Sequence, residues 1–199
     1  VKAADLPPMQ STPQGLADWY GPILCQTVAA SGANAISSGS GVLVSGDGLV
    51  LTCAHVLQGP DLTVVISEGP WAGEYSAEPI FVNEARDVAL IRAEGLSSTR
   101  WAPVRLSEIA GRGERLVAMG NPGLQGGGSS VGTVSAGIVA NPRAERFGDT
   151  VLIADVTIAS GSSGGPLISL EDGHVIGVVQ AVLREGLNDG GISASGYSC

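Results

Sequence analysis

The amino-acid sequence predicts an all-β protein, and its composition, its strand spacing and one hairpin motif each support that fold class. Glycine accounts for 30 of the 199 residues, while charged residues make up 15% and aromatic residues 4%. This composition favours short strands and tight turns over amphipathic helices. Within residues 41–52, Gly46, Asp47 and Gly48 separate two apolar segments and supply the positive-φ residues that a hairpin turn requires.

The predicted strands divide the chain into two halves. They cover residues 23–28, 41–44, 49–53, 62–66, 77–82 and 88–92 in the first half, and 116–119, 131–139, 151–154, 166–170 and 175–182 in the second. Short strands at this spacing are typical of a sandwich or a barrel. Residues 1–21 contain several prolines and no hydrophobic periodicity, so we expect a lead-in segment outside the core. We predict one β unit over residues 22–105 and a second over residues 106–199.

The charge of the chain excludes two classes of partner. Acidic residues outnumber basic ones by 19 to 10, and the net charge is -9. Phosphate groups are bound by clustered Lys and Arg, and Lys2 is the only lysine, so we expect neither a nucleic acid nor an anionic membrane surface as a partner. No apolar run approaches the roughly 20 residues that span a bilayer.

The cysteines Cys25, Cys53 and Cys199 have neither a disulfide-framework pattern nor metal-ligand spacing, and no metal site is predicted. A disulfide between Cys25 and Cys53 and a pair of buried free thiols both fit the sequence. The free thiols are favoured, because cysteine is among the most frequently buried residue types.

A glycine-rich turn in the second half is the strongest candidate for chemistry. Residues 160–167 are Ser-Gly-Ser-Ser-Gly-Gly-Pro-Leu and lead directly into an apolar strand. A nucleophilic serine needs a tight turn that exposes its hydroxyl, and backbone N–H groups must converge where an oxyanion forms. Residues without bulky side chains permit this arrangement. The alternative is an ordinary glycine-rich hairpin.

Two residues of the first half supply the remaining groups of a catalytic triad. His55 ends an apolar strand, and an unperturbed imidazole titrates at about pH 6.5, so it can accept and return a proton. Asp87 precedes four apolar residues, which draw its carboxylate towards the core, where it needs a partner. Taken singly, His55 also fits a core or edge histidine, and Asp87 a turn residue paired with Arg86. The other histidine, His174, lies in a predicted exposed turn and is assigned no role.

The ordered motifs Thr-x-Ala-His, Asp-Val-Ala-Leu and Gly-x-Ser-Gly-Gly-Pro resemble those of the chymotrypsin/trypsin-like serine peptidases over roughly residues 22–195. The segments at 39–55, 119–123 and 175–178 are most similar to the HtrA/Deg branch of bacterial and organellar proteases. The resemblance implies two six-stranded antiparallel β-barrels of the chymotrypsin-like fold with the active site in the cleft between them. It also implies endopeptidase activity on polypeptides, no metal or other cofactor, and a secreted, periplasmic or organellar location. A homotrimer formed through the N-terminal segment, with Trp19 and Tyr20 as anchors, is a further implication.

Carried over by position, the resemblance makes Ser163 the nucleophile, His55 the general base and Asp87 the residue that orients His55. The N–H groups of Gly161 and Ser163 then form the oxyanion hole. Ser162 stands where digestive relatives have Asp and the HtrA branch has Asn, so its hydroxyl is an alternative nucleophile.

The resemblance also implies a specificity pocket, which is lined by Thr157, Ile158, Ala159, Ser160, Gln180, Ala181 and Val182. Thr157 stands at the pocket base where an acidic residue would bind Arg or Lys, so basic residues are disfavoured at the cleavage position. The absence of histidine from residues 178–181 argues against acidic specificity, and Val182 narrows the pocket. We therefore expect cleavage after small to medium apolar residues, with the substrate added as a strand beside residues 180–182.

Two other functions fit the same motifs. One is a catalytically silent trypsin-like module that binds peptides or proteins. The other is an acyl-transfer enzyme that acts on esters.

Overall fold

The computed structural model describes residues 12–106, 109–122, 131–146, 149–183 and 193–197, with backbone alone at 146, 149, 181–183 and 193–197. One helix, α1 (Pro13–Tyr20), precedes the strands, and short 3₁₀ turns follow at Gly21–Ile23 and Ala54–Val56. The first six strands are β1 (Leu24–Ser31), β2 (Asn34–Leu43), β3 (Leu49–Thr52), β4 (Asp61–Ile66), β5 (Gly73–Asn83) and β6 (Val88–Ala93). The next six are β7 (Arg115–Gly120), β8 (Thr133–Arg146), β9 (Asp149–Asp155), β10 (Pro166–Ser169), β11 (Val175–Leu183) and β12 (Ser193–Tyr197).

The strands form two closed antiparallel barrels of six strands each. The first barrel has the order β1-β2-β3-β6-β5-β4 and closes through the pairing of β4 with β1. The second has the order β10-β11-β12-β9-β8-β7 and closes through the pairing of β7 with β10. The predicted all-β class and the double six-stranded barrel are therefore confirmed.

The last strand, β12, has no counterpart among the strands predicted from the sequence. Its residues, Ser-Ala-Ser-Gly-Tyr, contain none of the β-branched side chains that mark the other strands. The strand pairs with both β11 and β9. Tertiary pairing therefore overrides the weak local preference of this segment.

The segment before the first barrel contains a helix that the sequence reasoning missed. Thr12 caps α1 by accepting a hydrogen bond from the Gly15 N–H at 3.1 Å. Leu16 and Tyr20 are buried one turn apart, and the Tyr20 hydroxyl donates to the Gly173 carbonyl at 2.7 Å. The expectation of a lead-in segment outside the core is therefore wrong for residues 13–20. A single buried pair is too short a pattern to reveal helical periodicity.

The two aromatic residues proposed as trimer anchors are engaged within their own chain. Tyr20 is fully buried. Trp19 packs partly buried against the core, and the Arg100 guanidinium lies 5.5 Å from the centroid of its ring. Both side chains therefore serve to fix α1 on the barrels.

Alternating residues of the second barrel bind it to the first. In β7, Leu116 and Ala118 point into the second barrel, whereas Val117 and Met119 belong to the core cluster that fills the first barrel. The same alternation separates Leu167 from Ile168 in β10. Because successive side chains of a strand point to opposite faces, these strands have two apolar faces and hold the barrels in one fixed arrangement.

Of the two arrangements considered for the cysteines, the structure has the free thiols. Cys25 and Cys53 are both buried and unbridged, and burial raises the pKa of each thiol. Cys199 lies outside the described residues.

A largely buried ion-pair network joins Arg105 to two acidic residues of the second barrel. The Arg105 guanidinium bonds to Glu114 at 2.8 Å and to Asp172 at 2.8 Å, and the Ser169 hydroxyl donates to Glu114 at 2.5 Å. The side chains of Arg105 and Glu114 are 12% and 5% exposed. Burial alone would raise the pKa of Glu114, but hydrogen bonds from Ser169, the Gly111 N–H and Arg105 outweigh it and lower that pKa.

We expect Glu114→Gln to lower the free energy of unfolding by about 3 kcal/mol at pH 7, since breaking a buried ion pair costs about 3–5 kcal/mol. A carboxyl whose pKa is lowered on folding stabilises the protein above its unfolded pKa, about 4.3 for Glu, and this contribution disappears as the pH falls through the folded pKa. The difference between parent and variant should therefore shrink below about pH 4.3. Urea unfolding of the parent and the variant at a series of pH values measures this difference in the free energy of unfolding.

Glu94→Gln is the matched control. Glu94 is exposed, so its loss should leave the pH dependence of the free energy of unfolding unchanged. A Glu114→Gln deficit that stays constant from pH 7 to about pH 3 would contradict the assignment of the stabilisation to this carboxylate.

Candidate active site

His55 and Asp87 meet because the strands that carry them are neighbours. His55 lies in the 3₁₀ turn directly after β3, Asp87 directly precedes β6, and Thr52 of β3 is paired with Ala89 of β6. The His55 Nδ1 atom lies 2.6 Å from Asp87 Oδ2, and the His55 backbone N–H donates to Asp87 Oδ1 at 2.8 Å. Both carboxylate oxygens thus hold the same histidine. The carboxylate accepts a hydrogen bond from Nδ1–H, which keeps the proton on Nδ1 and leaves the Nε2 lone pair free to act as a base.

The exposure of the pair differs between its two members. The His55 side chain is 42% exposed, while that of Asp87 is 24% exposed. The imidazole can therefore reach a molecule in the cleft, and the carboxylate lies behind it.

Ser163 lies on a tight turn whose shape depends on two glycines. Gly161 and Gly164 have φ values of 93° and 88°, in the left-handed region that L side chains rarely adopt. The turn is closed by hydrogen bonds from Ser162 N–H to Ala159 O at 3.0 Å and from Gly165 N–H to Ser162 O at 2.9 Å. A Cβ on Gly164 would overlap the Ser40 carbonyl oxygen. The glycines predicted for a nucleophile turn are thus required by backbone conformation and by close approach.

The two adjacent serines face different surroundings. The Ser162 side chain is 6% exposed and faces β7, where a Cβ on Gly120 would lie 3.2 Å from its Oγ. The Ser163 hydroxyl is partly buried and donates to the Gln180 carbonyl at 3.2 Å. Within the described residues it makes no hydrogen bond with His55. In substrate-free enzymes the catalytic hydrogen bonds are often long or poorly aligned.

Two backbone donors of the turn have no acceptor among the residues that the structure describes. Across the part of the chain that the structure describes, the N–H groups of Gly161 and Ser163 make no hydrogen bond, whereas those of Ser162, Gly164 and Gly165 do. Unpaired N–H groups beside a serine hydroxyl are suited to binding a developing negative charge.

Ser40 anchors this turn to the first barrel, and the sequence reasoning missed it. The Ser40 backbone N–H donates to Ser163 O at 2.6 Å, and its hydroxyl donates to Gly161 O at 2.7 Å. The hydroxyl also accepts from the Asn121 N–H at 2.8 Å, and the residue is fully buried. The only sequence signal was a serine between two glycines at the end of a strand, which is also an ordinary feature of a strand that packs closely.

Three of the residues predicted for the specificity pocket line a cavity of about 170 Å³. Its walls are formed by Thr157, Ile158, Ala159 and Ser162, by Ala118 to Gly120 of β7, and by Thr133 to Ser135 of β8. Ser160 and Gln180 are absent from this lining. The side chains of Ala181 and Val182 lie outside the described residues.

Gln180 lies between the elements of the site. It is 3% exposed, and its side-chain amide donates to the carbonyls of Arg86 at 2.5 Å and Asp87 at 3.3 Å. Its side chain therefore contacts the turn that carries Asp87, and its place in the substrate-binding strand stays a prediction.

Cys53, His55 and Asp87 form the one group among the described residues with donor atoms close enough to hold a metal ion, within 4.8 Å of one another. The Cys53 thiol donates to the Val179 carbonyl at 3.2 Å. Burial and the nearby Asp87 carboxylate raise its pKa, whereas metal ligation requires a thiolate. The chemistry of this set favours hydrogen bonding over coordination.

The chain is similar to known proteins in sequence. The family model of the trypsin-like peptidase domain matches residues 39–178. Among curated relatives, the chain is 37% identical to "Serine protease HTRA1" of Xenopus tropicalis over 163 residues, which is 76% of this chain and 33% of that protein. It is 34% identical to "Serine protease HTRA2, mitochondrial" of Bos taurus over 161 residues, which is 77% of this chain and 33% of that protein. The chain thus spans about a third of the length of these relatives.

The fold has a solved counterpart. The crystal structure of the serine endoprotease from Yersinia pestis matches with a TM-score of 0.73 and 22% sequence identity, over 98% of this chain and 64% of the other. At this identity the likeness concerns the fold.

We expect Ser40→Ala to destabilise the protein, because it leaves the partly buried Gly161 carbonyl and the buried Asn121 N–H without their partner. Each buried group left unsatisfied costs about 1–3 kcal/mol. Urea unfolding measures the loss, and Ser38→Ala on the exposed end of the same strand is the control. Equal stability of Ser40→Ala and the parent would show that these hydrogen bonds do not hold the turn.

Proposed function

Since the chain belongs to the trypsin-like peptidase family, with HtrA proteases among its relatives, we propose that it is a serine endopeptidase that hydrolyses peptide bonds in polypeptides through an acyl-enzyme. The observation that carries the proposal is the His55–Asp87 pair facing the cleft beside Ser163, whose turn presents two unpaired N–H groups.

In the proposed first step, Ser163 Oγ attacks the scissile carbonyl carbon while His55 Nε2 takes its proton. The negative charge that develops on the carbonyl oxygen is stabilised by the Gly161 and Ser163 N–H groups. His55 then donates the proton to the leaving amine, and the acyl group remains on Ser163. Each donor of this kind is worth about 2.7–4 kcal/mol in the transition state.

In the second step, water takes the place of the leaving amine and hydrolyses the acyl-enzyme. His55 takes a proton from water, and the hydroxide attacks the acyl carbon. The carboxylic acid product leaves as the proton returns to Ser163. Throughout both steps Asp87 keeps the proton of His55 on Nδ1 and stabilises the imidazolium that forms.

Attack requires a rotation of the Ser163 hydroxyl from the Gln180 carbonyl towards His55. This resting contact also fits the second candidate function, a catalytically silent module that binds peptides. The triad contacts favour the enzyme, because the His55–Asp87 pair is already formed without a substrate.

We propose Ser163 rather than Ser162 as the nucleophile, because the Ser162 side chain is buried against β7. Ser163→Ala should reduce the cleavage of casein by about 10⁴- to 10⁶-fold and abolish labelling by a fluorophosphonate. Ser162→Ala serves as the matched control and should keep both activities.

A parent protein that neither cleaves nor labels would favour the silent module. Labelling and ester hydrolysis without casein cleavage would favour the acyl-transfer enzyme that acts on esters. Labelling that follows Ser162 would overturn the assignment of the nucleophile.

For the substrate, we propose cleavage after Val, Ala, Ile or Leu. Thr157, at the proposed pocket base, offers no counter-charge to Arg or Lys, and burying an unpaired charge costs more than the about 1–3 kcal/mol of an unpaired neutral polar group. In a peptide library with one varied cleavage position, kcat/KM for Arg should therefore be at least about 10- to 100-fold below that for Val. Thr157→Asp should raise the value for Arg, and a parent that prefers basic or acidic residues would contradict the proposed pocket.

The resemblance to the HtrA branch also suggests the cellular location and the oligomeric state of the enzyme. We propose a secreted, periplasmic or organellar protein that forms homotrimers through its N-terminal segment. Among the described residues no helix is long and apolar enough to cross a membrane.

A further inference from the structure

Asp87 has a backbone conformation that its residue type seldom adopts. Its φ value is 50°, and it is the one non-glycine residue with positive φ among those the structure describes. Such conformations persist where the surrounding structure holds them, and they cluster at functional sites. The direction of the Asp87 carboxylate depends on this backbone, since a change of φ would turn Cβ away from His55.

The Asp87 backbone is held in part by hydrogen bonds within its own turn, between β5 and β6. The Asp87 N–H donates to Glu84 O at 3.2 Å, and the Arg86 N–H donates to the Asn83 side chain at 3.0 Å. These bonds hold the peptide groups before Asp87. The carbonyls of Arg86 and Asp87, which lie on either side of the Asp87 Cα, are bound by other partners.

Gln180 supplies a partner for both carbonyls from the opposite barrel. Its Nε2 atom lies 2.5 Å from Arg86 O and 3.3 Å from Asp87 O. The Gln180 side chain is buried, with the residue 3% exposed, and the two bonds are partly buried. A hydrogen bond shielded from water is stronger, and its loss is more costly. Gln180 belongs to β11, whereas Asp87 lies on the turn between β5 and β6.

We propose that Gln180 is a positioning residue, which fixes the backbone of Asp87 and thereby the orientation of His55. This inference rests on the proposed peptidase function for its effect on the rate, but its effect on His55 is independent of that function. The backbone carbonyl of Gln180 also accepts a hydrogen bond from the Ser163 hydroxyl at 3.2 Å. One residue of β11 therefore contacts both the acid and the nucleophile of the proposed triad.

The test uses two substitutions that remove the donors. Gln180→Met has a side chain of similar length without N–H groups, and Gln180→Glu has the same shape but turns a carboxylate towards the two carbonyls. Gln26→Met, a partly buried residue of β1 in the first barrel, is the matched control.

The first readout is proton NMR of the His55 Nδ1–H resonance, which reports the hydrogen bond to Asp87 without requiring activity. The chain has two histidines, so His174 serves as an internal reference. We expect the His55 resonance to shift or broaden in both Gln180 variants, and the resonances of His174 to stay in place. Gln26→Met should change neither.

The second readout is steady-state kinetics. A misplaced base should lower kcat by about 10- to 100-fold while KM stays within about 2-fold. Unchanged His55 resonances and unchanged kcat in a folded Gln180 variant would overturn the proposal, even if its thermal stability fell, because that combination describes a purely structural residue. If the parent proves inactive, the proposed function fails, and the NMR comparison still decides the role of Gln180. Should Gln180→Met not fold, Gln180→Glu gives the same decision.

Discussion

The catalytic cleft depends on the hydrogen bonds of one buried serine. Ser40 belongs to the first barrel, yet its N–H and hydroxyl bond to the carbonyls of Ser163 and Gly161 in the second, and its own carbonyl accepts from Thr52 at 2.7 Å. Every polar group of Ser40 thereby has a hydrogen-bond partner. This matters because the residue is buried, and an unpaired polar group away from water would be costly. These bonds to the first barrel add to the hydrogen bonds within the turn around Ser163 and help it to keep its shape.

The rest of the site follows from the same junction. The apolar alternation of β7 and β10 fixes the distance between the barrels, and Gln180 and Cys53 bond across it. Asp87 and His55 come from one barrel and Ser163 from the other, so their relative position depends on that packing. A cleft built at a rigid interface needs little rearrangement when a substrate binds, which reduces the entropic cost of orienting the reacting groups.

Sequence reasoning reached the parts of this structure that local patterns encode. Eleven of the strands follow apolar runs, and His55, Asp87 and the Ser163 turn stand in ordered motifs. It did not reach Ser40, because the partner Gly161 is 121 residues away and nothing in a Gly-Ser-Gly segment identifies such a contact. The direction of the Gln180 side chain, the short helix α1 and the strand β12 were missed for the same reason, since tertiary contacts determine each of them.

The hydrogen bond between Tyr20 and Gly173 joins residues 153 positions apart. Helix α1 therefore docks on a hairpin that is synthesised after most of the strands described here. Contacts of such long sequence separation form slowly, because the intervening chain must be ordered before they are gained. A nascent chain that already carries His55 and Asp87 lacks the serine, the turn and the surface on which α1 rests. The proposed active site would thus be complete only after the strands of the second barrel have been made, and until then the growing polypeptide would be protected from it.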